Sequence, residues 1–189
     1  MPLLIKTEAI VLKRNNYSDA HRFITLFTKD LGKVSAMAKG VRKFTSRKRA
    51  SLEIFNHLKV NIYQQNQHFL ITETQLINSF PAIKTNLYQT TQAFQTAEII
   101  DVLTTEEQAH PEIFTHFLSI LTSIEAKTTS KNTAINHIKF ILKDLGFGYP
   151  DLDSDVLLKN HIESIAERPL RSKEYLIAPM LKKKLMDKN

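Results

Sequence analysis

Between Lys39 and Arg49 the chain reads Lys39-Gly40-Val41-Arg42-Lys43-Phe44-Thr45-Ser46-Arg47-Lys48-Arg49, six basic residues in eleven with no acid. Lysine and arginine suit phosphate oxygens, guanidinium groups gripping two at once. Phe44 adds a ring on which a nucleobase can stack. Mutual repulsion predicts a loop that stays extended and mobile until an anion neutralises it. Lys13, Arg14, Arg22 and Lys33 stand at strand ends or turns of the same half and extend the cationic track. The plainer alternative is a solvated loop with Phe44 tucked into the core. With no recognition helix or finger motif in the chain, a binder indifferent to sequence is expected.

Other chemistries fail on spacing. The only glycines are Gly32, Gly40, Gly146 and Gly148, and no pair has the offset of a phosphate-cradling G-x-x-x-x-G-K loop. Asp151-Leu152-Asp153-Ser154-Asp155 opens like a calcium loop, but Val156 stands where glycine is needed and Ile162 where a bidentate glutamate is needed. These acids are read instead as favouring a helix N-terminus. The histidines, including His21 beside Asp19, show no H-x-x-x-H spacing, and no G-x-S-x-G elbow occurs. Glu106, Glu107 and Glu112 read as solvated acids. No catalytic residue, metal site or cofactor is expected, and the chain is not read as an enzyme.

Net charge is +7, and its distribution says more than its size. Residues 1–82 hold 13 Lys/Arg against 5 Asp/Glu, or 13 − 5 = +8, and residues 83–189 hold 13 against 14, or 13 − 14 = −1. Surface field depends on local clustering, so a polyanion-binding half joined to a neutral one is implied. There is no cysteine, which excludes disulfides and thiolate metal sites and fits a reducing compartment. No long apolar run or charged leader is present, so a cytoplasmic location without membrane contact is expected.

The elements that must position these residues fall into two kinds. Period-2 alternation and β-branched runs predict strands at Glu8–Lys13, Arg22–Thr28, Lys33–Ala38, Asn56–Tyr63 and Phe69–Ile77. Turns are expected at Asn15-Asn16, Asp30 to Gly32 and Gln64 to Gln67. Five short strands in a row suggest a small antiparallel barrel such as the OB-fold. From Pro81 the period becomes helical. Ala93, Ala97, Ile100 and Leu103 share one face, as do Phe114, Phe117, Leu121 and Ile124, and then Ile135, Ile138, Leu142 and Leu145, predicting a three-helix core. Further helices are expected over Val156–Glu167 and Lys173–Lys184, the latter carrying Lys182-Lys183-Lys184 near its C-terminal end. The expected fold is therefore α+β with two domains, a five-stranded OB-fold nucleic-acid-binding domain over 1–80 and an all-α domain over 81–189.

Several segments, in order, resemble the RecO family of bacterial recombination mediators. They are Lys6 to Leu12, Asn16 to Arg22, Leu26-Phe27-Thr28, Gly32 to Ser35 and Ala38 to Lys43, followed more loosely by Ser79-Phe80-Pro81, Gly146 to Leu152 and Arg168 to Lys173. The resemblance implies an N-terminal OB-fold that binds single- and double-stranded DNA and anneals complementary strands. It also implies help in loading RecA, together with RecR and the C-terminal tail of single-stranded-DNA-binding protein, in a nucleoid-associated setting. It implies no catalytic residues. Many members carry a cysteine zinc site just after the segment matching Tyr149 to Leu152. Here Asp153-Ser154-Asp155 follows without cysteine, so the zinc module is expected to be missing. Two other readings fit the charge map: an adaptor whose basic half docks an acidic protein, and an RNA-binding OB-fold protein.

Overall fold

Strand β1 (Leu3–Asn16) is long enough to serve two partners, pairing through Leu3–Ile10 with β4 (His57–Gln65) and through Ala9–Asn16 with β2 (Arg22–Thr28). With β3 (Gly32–Ala38) and β5 (His68–Asn78) the strands close into a barrel in the order β1-β2-β3-β5-β4. Every neighbouring pair is antiparallel except β3 and β5, which meet in parallel at Ala36–Phe69 and Met37–Leu70. A bulge between Val11 and Lys13 turns β1 from one partner to the other, as a small closed barrel requires. This is the five-stranded OB-fold architecture that the alternation pattern predicts. The computed structural model describes residues 3–148 and 155–171.

Alternation dictates the barrel's interior. Leu58, Val60 and Ile62 of β4 are buried, whereas Lys59 between them is exposed, and Ile24, Leu26, Val34 and Ala36 fill the same core. The expected turn at Asn15-Asn16 is corrected, because β1 continues through both residues. The chain reverses over Tyr17 to His21, where Tyr17 N–H donates to His21 O (3.1 Å) and the Ser18 hydroxyl accepts from His21 N–H (3.2 Å). A short helix α1 (Lys48–Ser51), unforeseen in the sequence, sits between β3 and β4.

The remaining helices are α2 (Pro81–Thr85), α3 (Leu87–Leu103), α4 (Pro111–Glu125), α5 (Lys131–Asp144) and α6 (Asp155–Ala166). The chain forms two compact units. One comprises residues 1–81 with 104–122, and the other residues 82–103 with 123–189. In the first, Phe114 and Phe117 of α4 pack on Phe27 of β2, with ring centroids 6.2 and 6.4 Å apart. Where periodicity predicts a place in a three-helix core, this face serves the barrel instead, because Phe27 is an outward-facing aromatic that needs cover. In the same unit the main chain of Lys33 forms an isolated parallel β-bridge with that of Glu106, and Glu107 N–H donates to Lys33 O (2.9 Å).

In the second unit the Glu125 carboxylate accepts from the N–H groups of Ala82 and Ile83, both at 2.9 Å, and so caps α2. Helix α5 ends at Gly146 (φ +78°), with Phe147 N–H donating to Leu142 O in the 6→1 bond of a Schellman stop. The helix predicted over Val156–Glu167 is α6. Lys173–Lys184 with its lysine run, and the calcium-like Asp151-Leu152-Asp153, lie outside the described residues.

Candidate nucleic-acid interface

At the end of the barrel where β1 stops, β2 starts and β3 stops, the fold gathers arginines that are far apart in sequence. Arg14 comes from β1, Arg22 from β2, Arg42 from the loop after β3, and Arg49 from α1. They are close enough for their charges to be felt: burial first, then the positive charges of Arg14, Arg42 and Arg49, hold the Arg22 guanidinium below its ordinary pKa, and Glu53 opposes them. Arg14 forms an ion pair with Glu53. Such crowding stores repulsion that an incoming anion relieves.

Side-chain and backbone hydrogen bonds fix the cluster. Arg22 Nε donates to Asn16 Oδ1 (3.0 Å), and the Arg42 guanidinium donates to Ser18 O. Arg42 N–H donates to Ala20 O (3.1 Å), and Gly40 N–H to His21 Nδ1 (2.9 Å). The basic loop is thus tied to the 17–21 turn. It is not extended, as repulsion alone predicts. Val41 is fully buried, and successive turns close through Lys43 N–H to Gly40 O and Ser46 N–H to Lys43 O. Burial of one apolar side chain and these backbone bonds outweigh charge repulsion that solvent largely screens.

The nominated side chains divide by placement. Lys13, Lys39, Lys43, Arg47 and Arg49 are exposed, and Arg14, Arg22 and Arg42 are half-buried. Phe44 is 94% exposed, not tucked into the core, and Tyr17, which the sequence did not single out, is 61% exposed with its ring edge-on to Phe23 at 4.9 Å. Two lysines face the protein instead. Lys33 is buried and its Nζ donates to Thr104 O (2.7 Å), while Lys48 Nζ donates to Ile71 O (3.1 Å) and burial lowers its pKa. Both are correctly counted as charges, but their ammonium groups are already bonded to main-chain carbonyls. Neither Glu53 nor Tyr17 lies in a basic run, so charge clustering in the sequence does not mark them.

A concavity of about 550 Å³ lies elsewhere on the barrel, lined by Lys6, Lys29 and Lys59 with Glu8, Asp30 and Glu73. Its opposite charges balance, so it offers phosphate no net field. Among the described residues no group of three or more His, Cys, Asp or Glu is arranged to hold a metal ion, and no helix is long and apolar enough to cross a membrane.

Two family models match in succession. Residues 1–80 match the N-terminal model of recombination protein O, and residues 85–173 match its C-terminal model. Among curated proteins, the DNA repair protein RecO of Desulfitobacterium hafniense is 34% identical over 119 residues, covering 63% of this chain and 44% of that protein. The RecO of Syntrophus aciditrophicus is 34% identical over 161 residues, covering 82% of this chain and 60% of the relative. That of Dehalococcoides mccartyi is 31% identical over 147 residues, covering 78% and 58%. The chain thus spans about half the length of the curated relatives it matches. The two successive model matches together run through most of the chain, and the chain belongs to the RecO family of DNA repair and recombination proteins.

Proposed function

We propose that this protein acts without catalysis as a recombination mediator, holding DNA by its phosphates at the arginine-rich end of the barrel. The observation that carries the reading is the convergence of Arg14, Arg22, Arg42 and Arg49, with the exposed Tyr17 ring packed on Phe23 next to Arg22 and the exposed Phe44 ring two residues after Arg42. Guanidinium groups supply forks for phosphate, and the aromatic rings supply faces for bases. Exposed Lys13, Lys39, Lys43 and Arg47 widen the field around that centre. Neutralising two phosphate chains on one surface lowers the cost of bringing them together, which is the physical route to annealing complementary strands.

The residues over 1–80 then form the DNA-binding domain, and the helical residues over 81–189 dock protein partners. RecR and the acidic C-terminal tail of single-stranded-DNA-binding protein are the proposed partners, RecA being served indirectly, in the nucleoid-containing cytoplasm. The test is fluorescence anisotropy with labelled single-stranded DNA, duplex DNA and RNA of one sequence, followed by annealing of complementary strands. Binding of both DNA forms with accelerated annealing is expected. No binding at low salt would remove the nucleic-acid reading in favour of an acidic protein partner, and tight binding of RNA alone would replace DNA with RNA.

A further inference from the structure

Among the arginines at the end of the barrel stands an acid whose position the backbone fixes. Glu53 follows α1, in a segment clamped to β1: Phe55 N–H donates to Val11 O (2.9 Å) and Val11 N–H to Asn56 O (3.1 Å). The Asn56 side-chain amide donates to Ala50 O (2.9 Å) and Ser51 O (2.8 Å), and Asn56 N–H donates to Glu53 O (3.1 Å). Leu52, Phe55 and Asn56 are buried. Phe55 adopts φ +68°, a left-handed conformation that a phenylalanine rarely takes, so the chain accepts strain to turn back onto β1 here. None of these bonds uses the Glu53 carboxylate, which is left to the arginines.

That carboxylate forms the ion pair with Arg14, three residues beyond Val11 on β1. The Arg14 side chain is 23% exposed and that of Glu53 40%, so an incoming anion can reach the pair. Glu53 also acts on Arg22, where it opposes Arg14, Arg42 and Arg49. A guanidinium receives carboxylate and phosphate oxygens through the same fork of N–H donors, so Glu53 stands where a phosphate would stand on Arg14. For phosphate to reach Arg14, the carboxylate must leave, and once displaced it faces the incoming anion as a like charge.

We propose that Glu53 is an internal competitor for phosphate: it holds Arg14 while the site is empty, and a nucleic-acid strand must displace it to bind. The inference rests on the proposed DNA-binding role and adds the residue that limits its strength. An acid at this point selects by number of charges. A lone carboxylate or phosphate makes one ion pair at Arg14 and breaks another, whereas a strand recovers the loss at Arg22, Arg42 and Arg49. It also favours release, because a carboxylate tethered beside its arginine returns to it as soon as the phosphate lifts. Glu53 acts through Arg14, as a positioning residue.

The test is fluorescence anisotropy with a labelled oligothymidylate of about a dozen nucleotides, within the span of one OB-fold. It compares the unaltered protein with Glu53→Gln, Glu53→Ala and, as a control with the same loss of charge, Glu73→Gln in the charge-balanced concavity. The Glu53 variants are expected to bind about two- to fivefold more tightly at about 50 mM salt, the worth of one exposed ion pair, and the gain should shrink toward about 200 mM. Glu73→Gln should change affinity by less than about 1.5-fold, its charge being screened from the site. In an Arg14→Gln background, Glu53→Gln should gain less than about half as much, because the competition runs through Arg14. A damaged fold weakens binding, so a gain cannot come from damage. A gain in neither Glu53 variant, a gain matched by Glu73→Gln, or an equal gain with and without Arg14 would overturn the competitor. If Arg22→Gln, Arg42→Gln binds like the unaltered protein, the DNA-binding role of this end fails. If that variant binds weakly and the Glu53 variants gain nothing, only the role of Glu53 falls.

Discussion

Lys33 and Lys48 carry the same charge as Lys39 and Lys43 but spend it on the barrel itself. The Lys33 ammonium is bonded to Thr104 O, so Lys33→Met strands a buried carbonyl and should lower stability by about 1–3 kcal/mol. Chemical denaturation checks that, and DNA affinity should change by less than about twofold on the lost-phosphate-contact scale. Lys48 gives a pH signature. Burial lowers its pKa, so the folded protein holds that proton less tightly than the unfolded chain does. Stability from this group therefore rises as pH climbs between the depressed folded value and the ordinary 10.5, and Lys48→Met should flatten that rise. Net charge in the sequence cannot separate these lysines from their neighbours, because the distinction lies in carbonyls supplied by residues 71 and 104.

Strand positions were legible from alternation because each buried face leaves a period of two: Leu58, Val60 and Ile62 announce β4 before any partner is known. What covers an element is not written in its own period. The face of α4 reads as apolar, yet only the fold reveals that Phe114 and Phe117 meet Phe27. Phe27→Ala should accordingly cost about 3–5 kcal/mol and release hydrogen-exchange protection in α4 along with β2. The turn before β3 makes a second demand. Gly32 has φ +69°, and a Cβ there would overlap the Gln108 carbonyl. Gly32→Ala is expected to destabilise by roughly 1–3 kcal/mol, read as a lowered denaturation midpoint. The loop before α1 is compact for a related reason: repulsion is visible in the sequence, but the burial of Val41 and the bonds to Ala20 and His21 are not.

Across the whole molecule, charge segregation is legible in the sequence as a basic half and a neutral half, while the arrangement of the basic residues within their half needs the barrel. Arg14 and Arg49 are 35 residues apart in sequence, and both act on Arg22 in space. Exposed Lys39, Lys43 and Arg47 of the basic run supply the rim of this cationic end, and Arg42 and Arg49 of the same run join Arg14 and Arg22 from β1 and β2 at its centre. The direct measurement is the salt dependence of single-stranded DNA binding for the unaltered protein and for Arg22→Gln, Arg42→Gln, Arg49→Gln. The unaltered protein should lose roughly tenfold or more in affinity between about 50 and 200 mM salt, and the variant should bind weakly with a log–log slope shallower by about two units, near 0.7 for each lost phosphate contact. A variant that binds with unchanged affinity and unchanged slope would contradict the assignment of DNA to this end of the barrel.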